Sequence, residues 1–351
     1  MRDHGLTRRQ ALATYASLVS ASPLLRGQQS AGEPPGRIPP VQELVNAAEF
    51  EAIAQRKLDS RTFAEIAGSE RAVFEHITFR PRMMVDTTKM DLSTELFGQN
   101  LFTPILIGPL AQQKRFHPEG ELAMARGASA AKTALVIAAN SSYPIEQIAA
   151  QAKTPLWYQV YLQSGMNDVR RGVEQAVDAG CKVLCITLTA ERAADAPALM
   201  AGVDWRAIDG LRQGLKVPVV LKGVMSSEEA RKAVVAGVQG MIVSNYSAHA
   251  ISGVASPIAV LPSIVEAVAG KVPVLIDGSF RLGSDVLKAL ALGARAVLLG
   301  RPALWGLAAY GADGVQNIIE LIQSGLARDM AMCGKPTVQS VDRSVVAIHK
   351  R

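Results

Sequence analysis

The chain has 351 residues, 49% hydrophobic and 19% charged, a balance that excludes a disordered tail protein and a coiled coil. Aromatics make up only 5%, against 29 glycines, so small-residue helices and aliphatic strands are expected rather than aromatic base-stacking platforms. Half of the formal charge of +6 comes from the first thirty residues (Arg2, Arg8, Arg9 and Arg26 against Asp3), and the remainder is too weak a bias to select nucleic acid. Cys181, Cys185 and Cys333 cannot build a disulfide framework and lack zinc-ligand spacing, so they read as buried small hydrophobes. No apolar run reaches the ~20 residues that span a bilayer.

In chain order, Thr7-Arg8-Arg9-Gln10 precedes the short, mildly apolar stretch Ala11–Val19. This resembles a bacterial twin-arginine export signal, with residues 1–30 as signal peptide and a periplasmic destination. A cytosolic helix with a basic start is the alternative, since no clean Ala-x-Ala cleavage site comes after it. Such a signal exports folded proteins, commonly those that load a cofactor first. Residues 31–40 are rich in proline and glycine and read as a stiff linker.

Residues 41–102 are expected to cap the lower end of a repeating region that begins at residue 103. Val41–Gln55 has a helical pattern, Glu65–Phe79 is partly helical, and Met83–Leu92 reads as extended. From residue 103 to about 335 one phrase repeats, a short aliphatic strand followed by a small-residue amphipathic helix. The predicted strands are 104–107, 134–138, 156–161, 183–189, 217–222, 240–245, 272–277 and 296–300. Predicted helices include 119–131, 167–179, 227–236, 257–269 and 284–292, with C-cap signals at Gly180, Gly237, Gly270 and Gly293. Near-continuous apolar strands alternating with helices mean a parallel sheet buried on both faces. Eight units match an α/β fold of the (β/α)8 TIM-barrel type with an N-terminal helical and extended cap. A doubly wound sheet would want a Gly-rich first turn, and Gly108-Pro109-Leu110-Ala111 is not one. Residues 336–351 are left as a C-terminal tail.

The chemistry of such a barrel sits where the strands' C-terminal ends meet their loops. The seventh strand ends in Asp277-Gly278-Ser279-Phe280-Arg281 and the eighth in Gly300-Arg301. Glycines that let backbone N–H groups approach an anion, beside arginines on the last two loops, point to a phosphate site more than to plain turns. Lys222 ends the fifth strand, either as a Schiff-base nucleophile or as a fixed charge beside a cofactor. Gln159 and Tyr161 point inward by alternation. Thr187 and Thr189 come next on the fourth strand, and Ser244, Asn245, Tyr246 and His249 at the end of the sixth. Neutral donors, one lysine and a phosphate grip suit a planar phosphorylated ligand such as FMN. Carboxylates are sparse and His249 stands alone, so no metal is expected.

These residues carry a resemblance. From about Phe74 to Cys333 the chain is similar to the FMN-dependent α-hydroxy acid dehydrogenases and oxidases, the glycolate oxidase and lactate oxidase family. The matching stretches are Phe79–Arg82, His117–Glu121, Tyr158–Tyr161, Leu221–Val224, Ile242–Asn245, Ile276–Gly278 and Leu299–Pro302. The resemblance implies an oxidoreductase that takes a small 2-hydroxy acid and transfers to flavin N5, with an electron acceptor it does not name. Homo-oligomers are common in the family. By the same resemblance Pro109, Leu110 and Ala111 line the flavin edge, while Gln159 and Thr187 bond its pyrimidine ring. Lys222 sits near N1 and O2 and stabilises the reduced anionic flavin, with Ser244 beside it. Asp277 meets the ribityl chain, and Gly278, Ser279, Arg281, Gly300 and Arg301 meet the phosphate.

The substrate half departs from that pattern. Where the family has Asn-His-Gly-x-Arg, this chain has Asn245-Tyr246-Ser247-Ala248-His249, so Tyr246 replaces the catalytic histidine and His249 the carboxylate-binding arginine. The histidine's aspartate partner falls at Thr189, and Arg192 does not match the second arginine. The active-site tyrosine of the N-terminal segment has at best Phe63. Hydroxy acid oxidation needs a base poised near neutrality, and tyrosine ordinarily titrates near ~10. Tyr246, His249, Tyr161 and Lys222 are therefore the candidates for an altered catalytic set. The alternatives are a non-catalytic flavin-binding barrel, or another FMN barrel chemistry resembling type 2 isopentenyl diphosphate isomerase.

Overall fold

A computed structural model describes residues 37–68, 71–162, 166–188, 205–246 and 253–349. The export signal and most of the linker lie outside them. Eight parallel strands close on themselves: β4 (Ile105–Leu110), β5 (Ala134–Ala138), β6 (Leu156–Tyr161), β7 (Leu184–Thr187), β8 (Val219–Val224), β9 (Gly240–Val243), β10 (Val274–Asp277) and β11 (Ala296–Leu299). They run in chain order around the barrel, and β11 pairs back with β4. The expected (β/α)8 architecture is therefore the one observed. Its cause is visible in burial: residues at odd and even positions of each strand are both buried, because helices cover the outside and side chains fill the inside.

The inside and outside sets separate cleanly. Leu106, Val136, Trp157, Cys185, Val220, Ile242, Leu275 and Leu298 form the inner core, while Ile105, Leu135, Ile186, Leu221, Met241 and Ile276 pack outward against the helices. The helices end where the glycine pattern says. Gly180, Gly237, Gly270 and Gly293 all have positive φ, from 73° to 103°, the left-handed conformation that ends a helix without Cβ strain.

Three segments that precede the barrel in the chain build the cap, which does not stay at the lower end as expected: Ala67 and Arg71 reach the loops after β11 and β10 at the other end. The hairpin β2 (Thr94–Leu96) and β3 (Gln99–Leu101) enters the barrel's N-terminal end, burying Leu96 and Leu101 in the inner core. Phe97 meets Trp157 edge-on, with ring centroids 5.4 Å apart. Gly240 makes room for this plug, since a Cβ there would stand 2.6 Å from the Phe97 ring. The helix Ala47–Lys57, N-capped by Asn46, packs along the C-terminal helical segment Arg301–Met332, which bends at Tyr310–Gly311. β1 (Ile77–Phe79) pairs antiparallel with β12 (Val346–Ile348), so residues 336–349 are tied back to the cap. The stretch Met83–Leu92, expected to be extended, contains only an isolated bridge at Asp91.

All three cysteines are free and buried. Burial pushes the thiols of Cys181 and Cys185 up to about 12, which suits packing and not reactivity.

Candidate active site

Two residues beyond the inner core on five of the eight strands, the alternation changes chemistry. Trp157 gives way to Gln159, Cys185 to Thr187, Val220 to Lys222, Ile242 to Ser244 and Leu275 to Asp277. The strand period of two thus places five polar side chains in one layer at the C-terminal mouth. Gln159, Thr187, Lys222 and Ser244 are all buried. Each must therefore find a partner or cost the free energy of a lost hydrogen bond.

The partners are mutual. Gln159 Nε2 donates to Thr187 Oγ1 at 2.9 Å. Lys222 Nζ donates to Ser244 Oγ at 2.8 Å and lies 2.7 Å from Asp277 Oδ2. The Tyr246 ring lies over the same ammonium, with its centroid 5.0 Å away, and Tyr246 N donates to Ser244 Oγ at 3.3 Å. Lys222 is thus a fixed charge, held on three sides, with no free swing for carbinolamine chemistry. Tyr246 itself is 43% exposed, so it faces the open mouth. Tyr161, on the next inward position after Gln159, is half-buried at the same end.

Asp277 leads directly into the second half of the site. Gly278 (φ 105°) and Ser279 (φ 62°) are both left-handed, and a Cβ on Gly278 would stand 3.0 Å from Pro257. This turn brings Arg281 back over the mouth, where its guanidinium stacks 5.1 Å from the Trp305 ring. Arg281 N and Leu282 N donate to Asp285 Oδ2 at 2.9 and 3.0 Å, which also pairs with Arg71 from the cap. Gly300 precedes the helical segment that begins at Arg301, whose guanidinium donates to Ala67 O at 3.1 Å. Burial weakens the proton affinity of both arginines, and for Arg301 the neighbouring Arg281 charge adds to the effect. Two cations crowded together in partial burial favour anions beside them, and Glu51 and Asp277 oppose the effect in part.

Pro109, Leu110 and Ala111 are half-buried where β4 loses register with β5, between Ile107 and Leu110. Leu110 still pairs with Ile137 after the shift, so the irregularity falls at Gly108 and Pro109. His117 Nδ1 accepts from Glu119 N at 3.2 Å, and the buried Glu121 accepts from Gln113 N and Ser142 N, each at 2.9 Å. His117 and Glu121 therefore tie loops together and do not take part in the mouth layer.

The structure brings together Gln159, Thr187, Lys222, Ser244, Asp277 and Tyr246, with Gly278, Ser279, Arg281, Gly300 and Arg301 on the adjoining loops. His249, Thr189 and Arg192 lie outside the described residues. Sequence reasoning missed Glu51, Arg71, Asp285 and Trp305, which surround the two arginines. Only Asp285 left a trace, as an acid in the first turn of the helix Gly283–Ala291.

The donor set fits FMN. One end offers an ammonium, an amide and two hydroxyls for a polar heteroaromatic ring. The other offers two guanidiniums for a phosphate. Among the described residues no group of three or more His, Cys, Asp or Glu could hold a metal ion.

Comparison with known proteins agrees with this geometry. Residues 43–195 and 189–348 match the model of the FMN-dependent dehydrogenase family. The chain is 33% identical to a peroxisomal (S)-2-hydroxyacid oxidase of Arabidopsis thaliana, covering 87% of this chain and 97% of that one. It is 35% identical to an L-lactate oxidase of Nostoc sp., covering 86% and 97% respectively. A crystal structure of mandelate oxidase with (S)-2-phenylpropionate superposes with a TM-score of 0.81 at 34% identity, over 88% of this chain and all of that one.

Proposed function

From the premise that the chain belongs to the FMN-dependent dehydrogenase family, we propose that it oxidises a small 2-hydroxy acid at the barrel mouth, with an active site altered at position 246. It is an FMN-dependent oxidoreductase acting on CH–OH groups, as its relatives are. The observation that supports the assignment most is Lys222, buried and fixed between Asp277 and Ser244. When bound, FMN supplies the two-electron acceptor at N5. Lys222 would hold a positive charge against its ring, Gln159 and Thr187 would orient it, and Arg281 and Arg301 would hold its phosphate.

The substrate side has no histidine base at position 246. Tyr246 can donate a hydrogen bond from the mouth, and Tyr161 and His249 are the remaining polar candidates for a substrate carboxylate. A non-catalytic flavin-binding barrel is the second reading, and the replacement of the base by Tyr246 is what favours it. Reduction of the bound flavin by 2-hydroxy acids separates the two readings.

The cofactor reading has a direct test. The purified protein should be yellow, and Arg281→Ala or Arg301→Ala should each weaken FMN binding by ~1.5–3 kcal/mol, the value of a charge-assisted bond. Titration of apoprotein by flavin fluorescence measures this. A colourless protein that cannot be reconstituted with FMN rejects the assignment.

We also propose export through the twin-arginine route, on the strength of Thr7-Arg8-Arg9-Gln10 and the apolar stretch after it. Changing Arg8 and Arg9 together to lysine should keep the protein in the cytoplasm, because a receptor reads the arginine pair rather than bulk charge. Cell fractionation that finds the double-lysine form exported as before would reject this.

A further inference from the structure

The cap delivers one carboxylate to the phosphate arginines. Glu51, on the helix Ala47–Lys57, accepts from Gly68 N through Oε1 at 2.6 Å. Its Oε2 lies 3.7 Å from Arg281 Nη1, and both side chains are half-buried. The segment around Gly68 is stitched to the same two loops. Arg301 Nη1 donates to Ala67 O at 3.1 Å, Trp305 Nε1 to Ile66 O at 2.8 Å, and Arg71 Nε to Ser279 O at 3.2 Å. Gly68 is pressed so close that a Cβ there would collide with Arg281 Nη2.

Among the described residues the charges around this point are Arg71, Arg281 and Arg301 against Glu51 and Asp285, with Asp277 also acting on Arg301. Asp285 is committed to Arg71 and to the N–H groups of Arg281 and Leu282. Glu51, by contrast, faces Arg281 itself and would share it with an incoming phosphate. Burial lowers the proton affinity of Arg281 and Glu51 opposes that fall, so the two groups interact electrostatically.

We propose that Glu51 is a built-in counter-anion that competes with the FMN phosphate for Arg281. The inference rests on the FMN reading and concerns how tightly that cofactor is held. Without phosphate, Glu51 pairs with the arginine and fastens the cap to the barrel. With phosphate present, the same carboxylate stands near a dianion and raises its energy. The isoalloxazine ring binds at the Lys222 end and does not sense this repulsion. The effect is therefore carried by the phosphate alone.

The test compares two flavins on apoprotein. FMN and riboflavin, which lacks the phosphate, are titrated by fluorescence quenching into wild type, Glu51→Gln and Glu51→Asp. Glu51→Gln keeps an acceptor for Gly68 N and removes only the charge. FMN affinity should rise about tenfold in Glu51→Gln, the order expected for removing one charge several ångströms from a dianion in a half-buried site. Riboflavin affinity should stay unchanged, and the Tm of the apoprotein should fall. Glu51→Asp, which keeps the charge, should hold the FMN-to-riboflavin ratio near wild type. If Glu51→Gln does not fold, Glu51→Ser replaces it and should shift the ratio the same way. An unchanged or reduced ratio in the neutral variant, with wild type binding FMN normally, overturns the role of Glu51 alone. So does a rise in Glu51→Asp equal to that in Glu51→Gln. Wild-type protein that binds neither flavin overturns the FMN reading and this inference with it.

Discussion

The protein as it stands should oxidise glycolate or lactate about 10²- to 10⁴-fold more slowly than an enzyme with a histidine base at position 246, the range that general-base catalysis contributes. Tyr246→His alone should recover little of this. The imidazole would lack the carboxylate that orients it and stabilises its charged form, because position 189 is a threonine. The substrate carboxylate would also lack a bidentate clamp, because position 249 is a histidine. Tyr246→His with Thr189→Asp and His249→Arg should gain more than the sum of the single changes, since groups acting as one unit are non-additive. Recovery should still be partial, because a displacement of ~1 Å can cost about 10²-fold. Steady-state oxidation of both acids, with oxygen or an artificial acceptor, measures the series. If the unmodified protein turns over either acid at ~10 s⁻¹, an ordinary enzyme rate, then Tyr246 is no handicap and the altered-site reading is wrong.

Lys222→Met should produce the second large effect, in stability as well as in cofactor binding. The substitution keeps the length of the side chain but strips the ammonium from Asp277 and Ser244, leaving a half-buried carboxylate without its cation. Breaking a buried pair from one side costs about 3 kcal/mol or more. Urea denaturation of the apoprotein should show that loss. Adding Asp277→Asn should return much of it, because the orphaned charge is then gone. A single substitution that costs less than ~0.5 kcal/mol, or a double variant no better than the single, would show that the pair carries no structural weight. Lys222→Met should also weaken FMN, whereas Asp277→Asn alone should leave the charge at Lys222 in place.

Much of this molecule is legible from local pattern. The strands 134–138 and 156–161 are found as expected, and the helices 167–179 and 227–236 shift by one residue at most. Apolar period and glycine caps act over a few residues, so a linear reading captures them. The same holds for the mouth layer. Once the strands are known, alternation alone puts Gln159, Thr187, Lys222 and Ser244 two positions beyond Trp157, Cys185, Val220 and Ile242. The short helices Ile145–Gln151 and Trp205–Arg212 escape such a reading, since few turns give little periodicity. So does the hairpin β2–β3, whose six strand residues are ordered by the barrel end they plug.

What the sequence determined by itself is the barrel, its polar mouth and the glycine- and arginine-bearing loops after the last two strands. Each is written in residues close together in the chain or related by a fixed strand period. What only the tertiary structure decided is the environment of those groups. Lys222 meets Asp277 across 55 positions, Arg301 meets Ala67 across 234, and Glu51 reaches the loop residue Arg281 from a helix of the cap. No local pattern encodes these pairings. They arise because barrel closure and cap packing bring distant segments together, and because the buried polar groups that result must each be satisfied by whatever the fold places beside them.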